Sequence, residues 1–215
     1  MSSKRWNNAV AGREEQRHRK QQAVLAAGAK LFIEKGYDKT SLDDIASALN
    51  VTKRALYYYF DSKDEILFDC HRQGLRFVED IIDRSLDRSV PVLERISSLV
   101  GEYTEWVNSD FGACLVLIPD SSMTRERSDY LRKAKARLDH RVRELITEGI
   151  ADGTIRECSP ALTTAAIFGA LNWIPFWHRN TSDAKTLQVK QEFTTFIENG
   201  LKKHPEVASV GREDF

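Results

Sequence analysis

The chain has 215 residues, 41% hydrophobic and 30% charged, and its 32 basic and 32 acidic side chains cancel to zero net charge. That balance excludes a uniformly basic nucleic-acid coat and leaves one generous globular domain, or a small domain joined to a larger one. No apolar run reaches the roughly 18 residues of a membrane helix, the first twenty-odd residues lack the apolar stretch of a secretory leader, and three distant cysteines fit a reducing cytoplasm better than a disulfide framework or a zinc cluster.

Charge is unevenly spread. Residues 1–63 hold 12 basic and 7 acidic side chains, a net of +5 balanced by −5 over the remainder. A positive N-terminal third on a negative body is the distribution of a DNA reader with a second function elsewhere. Lys4, Arg5, Arg13, Arg17, Arg19 and Lys20 precede the first apolar stripe. The expectation for residues 1–16 is a flexible basic arm, which either enters a flanking minor groove or trails as a tail of incidental charge.

From there the pattern is helical to the end. Val24, Ala27, Gly28, Leu31 and Phe32 mark one face of an amphipathic helix, and Gly36 stops it. In TSLDDIASAL, Ser41 caps and Asp44 can reach back, while Leu42, Ile45, Ala46 and Leu49 form the buried side. Asn50-Val51 turns the chain, and Thr52 caps a third helix to about Tyr59. A longer helix starts near Lys63 and carries Ile66, Leu67, Leu75, Phe77, Val78, Ile81 and Ile82. Pro91 opens a helix to about Asn108, and DFGACLVLIPD is a compact apolar piece ended by Pro119. A long charged helix spans about Thr124 to Asp152, with Gly153 as its stop. Ser159-Pro160 starts another to about Trp177, in which Pro175 should kink or end the helix, and the last runs from about Asp183 to Lys203. No strand alternation is visible, so the expected class is all-α with about nine helices.

Residues 41–60 form two short helices around a tight turn, the helix-turn-helix plan whose second helix enters the major groove. If Leu56 and Phe60 point inward, Lys53, Arg54, Tyr57 and Tyr58 point outward near the helix start. Lysine and arginine donate to guanine or phosphate, and tyrosine donates to phosphate while its ring packs on sugar or a thymine methyl. Thr40, Ser41 and Thr52 are further phosphate donors, and Lys63 stands where flanking backbone would pass. Double-stranded DNA is the partner this constellation calls for.

The run FIEKGYDKTSLDDIASALNVTKRALYYYFDSKDEIL resembles the DNA-binding domain of TetR-family transcriptional regulators. The likeness rests on the glycine-aromatic pair after the first helix, the T-S-x-x-x-I-A core of the second, and the L-Y-x-Y-F-x-S-K end of the third. It implies three N-terminal DNA-binding helices, a larger helical body, a homodimer, and release of DNA when a small ligand binds that body. The family's DNA-contact positions correspond to Thr40, Ser41, Thr52, Lys53, Arg54, Tyr57, Tyr58 and Lys63. Arg54 departs from the pattern, since a small residue usually stands there, and it either adds a base contact or grips phosphate. The expected division is an arm over 1–16, a reader over 17–62, an effector-binding and dimerisation domain over 63–204, and a tail over 205–215.

In the body, Ala165, Ala166, Ile167, Gly169 and Ala170 permit close helix approach, and Phe193, Phe196, Ile197 and Leu201 supply area, so the last two helices are the expected homodimer interface. Trp173, Phe176 and Asn172, with Phe168, Tyr103, Trp106, Phe111, Leu115 and Met123, could line an apolar effector pocket. The C-terminal half looks loosely similar to TetR-type regulators of lipid and acyl-CoA catabolism. That likeness implies a fatty acyl-CoA effector, with Arg179, Arg132 or Lys135 near its phosphates; an unrelated hydrophobic effector is the alternative. The expected function is a ligand-responsive cytoplasmic regulator, a repressor by first reading and an activator by the second, with no cofactor, metal or membrane. A helical enzyme is the remote alternative: His140, His178 and Cys114, with Asp120 as orienter, lie far apart and lack a motif.

Overall fold

A computed structural model of the chain describes residues 2–179 and 181–203. Among them are nine α-helices: α1 (Ser2–Glu34), α2 (Leu42–Ala48), α3 (Lys53–Tyr57), α4 (Lys63–Arg84), α5 (Val92–Val107), α6 (Asp110–Leu117), α7 (Arg125–Ala151), α8 (Pro160–Trp177) and α9 (Asp183–Leu201). A single 3-10 turn at Asp120–Ser122 precedes α7. Extended pairing among the described residues is limited to one antiparallel bridge between Ile155 and Lys202, which ties the turn after α7 to the end of α9. The fold is all-α, three N-terminal helices leading into a larger helical body.

Local chemistry explains the breaks. Ser41 Oγ accepts from the Asp44 N–H at 3.1 Å while Asp44 Oδ2 accepts from the Ser41 N–H at 2.7 Å, a reciprocal cap on α2. Thr52, Ser62, Ser109 and Ser159 each cap a helix with the side-chain oxygen. Asn50 turns the chain between α2 and α3 at φ +54°, in the left-handed region where asparagine is better tolerated than most side chains. The Val51 N–H then closes on Ala46 O at 3.0 Å.

Several boundaries differ from expectation. Residues 2–16, expected as a flexible arm, continue α1 as one helix. α3 closes at Tyr57, short of the expected Tyr59, and the Tyr59 N–H takes the tighter i→i−3 bond to Leu56 O at 2.9 Å. Pro175 neither ends α8 nor stops its bonding, since the helix runs to Trp177 and the His178 N–H still reaches Ile174 O at 2.9 Å. A proline so near the C-terminus forfeits a single bond. The expected tail over 205–215 lies outside the described residues.

The helix α4 joins reader to body. Ile66, Leu67 and Cys70 in its first half are fully buried with Phe32, Ile45 and Leu56 of the reader. A methyl added at Gly28 of α1 would sit 2.7 Å from Ile66 Cγ2 and 3.7 Å from Ile45 Cδ1, which shows how closely α1, α2 and α4 converge. Its second half contributes Leu75, Val78, Ile81 and Ile82 to the body. One continuous core therefore runs from Val24 to Leu201. With roughly 1.5–3 kcal/mol per fully buried aliphatic side chain, reader and body are held by packing as well as by chain.

The corner between α5 and α6 depends on a missing side chain. A Cβ at Gly112 would lie 2.2 Å from Trp106 O and 2.7 Å from Val107 Cα, both backbone. Ala113 and Cys114 beside it are fully buried, so α6 has no room to retreat. Gly112→Ala is expected to cost about 3 kcal/mol of unfolding free energy, read as a lower urea midpoint. An unchanged midpoint would mean that the corner yields freely.

Candidate DNA-reading helix and effector cavity

The reader exposes a compact set of donors. Leu56 and Phe60 are buried, and α3 thereby presents Lys53, Arg54, Tyr57 and Tyr58 to solvent. Tyr58 is 70% exposed; its ring meets Tyr59 edge-on at 5.0 Å, and the Arg17 guanidinium of α1 lies 5.8 Å from its centroid. That cation above a reader aromatic is a neighbour the sequence signalled only as part of a basic cluster. Lys53 Nζ is 2.7 Å from Asp43 Oδ2, a hydrogen bond that holds the ammonium pKa above its ordinary value. DNA must therefore compete with Asp43 for it. Thr52 Oγ1 accepts from the Ala55 N–H at 3.2 Å, which leaves its own hydroxyl proton to donate.

Three expected contacts are placed differently. Thr40 is buried, and its hydroxyl is used within the protein, on Gly36 O at 2.8 Å and Leu31 O at 3.2 Å; it fastens the turn after α1 and does not face outward. The Ser41 hydroxyl is exposed but donates to Asp44 Oδ2 at 2.6 Å, and these bonds, led by that from Lys35, hold the Asp44 carboxyl far below the usual range. Lys63 Nζ donates to Tyr37 O at 2.8 Å and lies 4.3 Å from the Tyr37 ring, so its first role is to pin the start of α4 to the turn before α2. All three polar groups thus have partners within the protein, which the local pattern does not state.

In the body, a cavity of about 510 Å³ opens among α4, α5, α6, α7 and α8, within the range of small-molecule sites. Of the expected lining residues, Tyr103, Leu115, Phe168, Asn172, Trp173 and Phe176 border it. Trp106 forms a layer behind, stacked on Phe77 at 5.6 Å and edge-on to Tyr103 at 5.3 Å. Phe111 is half-buried, Met123 is buried beyond the 3-10 turn, and Arg179 is half-buried past the end of α8; these three are not in the lining either. Leu75, Val78, Val116, Leu138, Asp139 and Gly169 also line it and were not expected there from sequence, because a cavity-facing leucine has the same helical spacing as a core one. Inside, Tyr103 Oη donates to Asn172 Oδ1 at 2.6 Å. Burial raises the Tyr103 pKa, so the phenol stays protonated and the Asn172 amino group is the pair's remaining donor.

Lys135 also lines the cavity, and its Nζ is 2.8 Å from Asp120 Oδ1. The same oxygen lies 3.4 Å from Nδ1 of His71, a fully buried histidine of α4 beside Cys114. Burial pushes the His71 pKa down, but the neighbouring Asp120 and Cys114 outweigh it and the net shift is upward; the Cys114 thiol is drawn below its ordinary value by its neighbours, Cys70 first and then His71. The sequence named Cys114 and Asp120 as enzyme candidates and missed His71. Both Cys114 and His71 are sealed at 0% exposure, and the two histidines named from sequence stand apart: His140 beside Glu144 on α7, His178 between Thr181 and Thr186. The described residues contain no cluster of three or more ligands able to hold a metal ion.

On the outer face of α8 and α9, Leu162, Ala165, Ala166, Gly169, Trp173, Phe176, Trp177, Leu187 and Phe196 are exposed. Ile167, Ile197 and Leu201, expected in a subunit interface, instead face their own core.

A helix-turn-helix reader locked through one long helix to an all-α body with an apolar cavity defines a DNA-binding transcriptional regulator. The family described as "Bacterial regulatory proteins, tetR family" matches residues 24–70, and that described as "Tetracyclin repressor-like, C-terminal domain" matches residues 89–201. The chain belongs to the TetR family. It is 37% identical over 80 residues to IcaR of Staphylococcus aureus (strain Newman), a negative transcriptional regulator of the biofilm operon icaADBC, in an alignment spanning 37% of this chain and 43% of IcaR. The structure of PfmR from Thermus thermophilus superposes with a TM-score of 0.75 at 28% identity, covering 84% of this chain and 99% of PfmR. AibR, solved with isovaleryl coenzyme A and operator DNA, shares the fold with a TM-score of 0.72 at 23% identity, over 82% of this chain and 96% of AibR.

Proposed function

We propose that this protein is a cytoplasmic repressor that binds a palindromic operator as a homodimer and leaves it when a small hydrophobic effector enters the cavity among α4–α8. The observation that carries the reading is that Leu75 and Val78 of the cavity wall belong to α4, the helix whose start holds the reader through Lys63. A ligand that binds the DNA-incompatible arrangement more tightly shifts the population toward it through that helix, and a ligand without such a preference shifts nothing.

The exposed apolar face of α8 and α9 supports dimerisation. Ala165, Ala166 and Gly169 leave space for close helix approach, while Leu162, Trp173 and Phe196 supply apolar area. Packed against a second copy, this face makes an intermolecular four-helix bundle, and two readers then meet half-sites ~34–36 Å apart. A fatty acyl-CoA is the effector class favoured: the cavity is apolar, Lys135 stands at it, and AibR of the same fold was solved with an acyl coenzyme A. Negative regulation by IcaR supports repression. Of the other cations considered for the phosphates, Arg132 is paired with Asp129 on the outside of α7.

The test is binding of the purified protein to DNA fragments beside its gene, at fixed salt, with and without decanoyl-CoA. Specific binding weakened by the thioester is expected. Specific binding that stays unchanged across acyl-CoA chain lengths would discard this effector class.

A further inference from the structure

Helix α4 is stitched to the segment that follows α6 by two ion pairs and one histidine–carboxylate contact. At its start, Asp64 pairs with Arg127 and accepts from the Thr124 N–H at 3.2 Å. Near its end, Asp83 pairs with Arg141. Between them, His71 Nδ1 stands 3.4 Å from Asp120 Oδ1, which Lys135 Nζ holds from the other side at 2.8 Å. Of the three, only the middle link includes a residue that lines the cavity, Lys135.

The middle link is also incomplete. His71 is fully buried, yet neither of its ring nitrogens completes a hydrogen bond. A buried polar group without a partner is costly, so His71 gains from any change that brings the carboxylate closer. Asp120 is shared, and the ammonium holds it at the shorter distance. The Lys135 side chain is 38% exposed, so an incoming anion reaches the ammonium without burying a new charge. The other ionised group of the wall, Asp139, is occupied by Arg143 at 2.5 Å.

We infer that Lys135 reads an anionic headgroup on an acyl ligand and passes its presence to α4 by releasing Asp120 to His71. This rests on the cavity being the effector site. When a carboxylate or phosphate takes the Lys135 ammonium, Asp120 loses its nearer partner and turns to close the 3.4 Å gap to His71. That contact draws on α4 eight residues beyond Lys63, the point where α4 grips the reader. A neutral chain of equal length fills the same apolar volume and presses on Leu75 and Val78 but leaves the Lys135–Asp120 pair intact. The apolar wall thus supplies affinity, and the headgroup supplies the signal. A free fatty carboxylate and the phosphates of an acyl thioester share this chemistry.

The experiment uses the full-length protein with decanoate, decanoyl-CoA and decanol. Ligand binding is followed by tryptophan fluorescence, since Trp173 lines the cavity, and operator affinity is measured separately. In the parent protein, decanoate or decanoyl-CoA is expected to weaken operator binding about tenfold or more, and decanol by less than about twofold although it binds. Response to decanoate alone identifies a free carboxylate, and response to decanoyl-CoA alone identifies the thioester phosphates. Asp120→Asn breaks the link outside the cavity lining: it should still bind the anionic probe, yet its operator affinity should no longer respond. A merely structural role for Asp120 would lower operator affinity and leave the fold-response intact, which a comparison of the two ratios detects. Lys135→Met should bind decanol and lose the response to the anions. The relay is overturned if decanol releases operator as well as decanoate does, or if Asp120→Asn keeps the full response. Binding of none of the three probes would remove the cavity reading itself, and the relay with it.

Discussion

The double variant Arg54→Ala/Tyr57→Ala is expected to bind operator about 100-fold more weakly than the parent, with no change in Tm. Both side chains are exposed on α3, and Arg54 has no ion-pair partner among the described residues, so neither holds the fold. Each contact to a base edge or phosphate lost from a reader helix removes about 1–3 kcal/mol, and 1.4 kcal/mol is a tenfold change in affinity. The way the loss is distributed resolves the role of Arg54. A phosphate contact weakens binding to all sequences alike and lowers the salt slope by about one. A base contact weakens specific DNA only. Leu56→Ala provides the contrast, because Leu56 is buried under α3: it should lose about 2–5 kcal/mol of stability, and DNA binding should fail through unfolding. Equal operator affinity for the double variant and the parent would remove α3 as the reader.

Glu148→Ala is expected to cost about 3 kcal/mol of stability, measured by urea unfolding. Glu148 Oε1 lies 2.6 Å from Arg95 Nη2, and Arg95 is 4% exposed, with Nη1 on Ser85 O at 3.2 Å and Nε unpaired. Removing the carboxylate strands a buried guanidinium between α5 and α7. The lower end of the range for buried pairs applies because the Glu148 side chain is 37% exposed and partly screened by water. Replacing both partners with methionine should recover most of the loss, since no buried charge then remains. A loss below about 1 kcal/mol in the single variant, the level of a surface pair, would show that water reaches Arg95.

The reader was legible because its signals are local. The Ser41–Asp44 reciprocal cap, the Asn50 turn and the Leu56/Phe60 inward pair each lie within four residues, and each appears as expected. Thr40 and Lys63 show the limit of that legibility. Their positions in the pattern are evident, but the carbonyls that engage them belong to Leu31, Gly36 and Tyr37, across a turn whose geometry the sequence does not state. In the body, spacing revealed the helices but not which stripe faces which neighbour. Ile167, Ile197 and Leu201 turned inward while Phe196 stayed out. His71 was invisible for the same reason: it sits among the apolar positions of α4, and its partners Cys114 and Asp120 are brought to it only by the packing of α6 and the turn after it.

We propose that α3, presented twice by a dimer, reads a palindromic site. Nuclease footprinting of the protein on DNA beside its gene tests this most directly, with a genome-wide binding map to cover remote sites, both at fixed salt. The expected result is protection of two inverted half-sites centred one helical turn apart, ~34–36 Å, or a multiple of it, and loss of that protection in Arg54→Ala/Tyr57→Ala. Protection of a single unpaired site, or specific binding that survives the double variant, would contradict it.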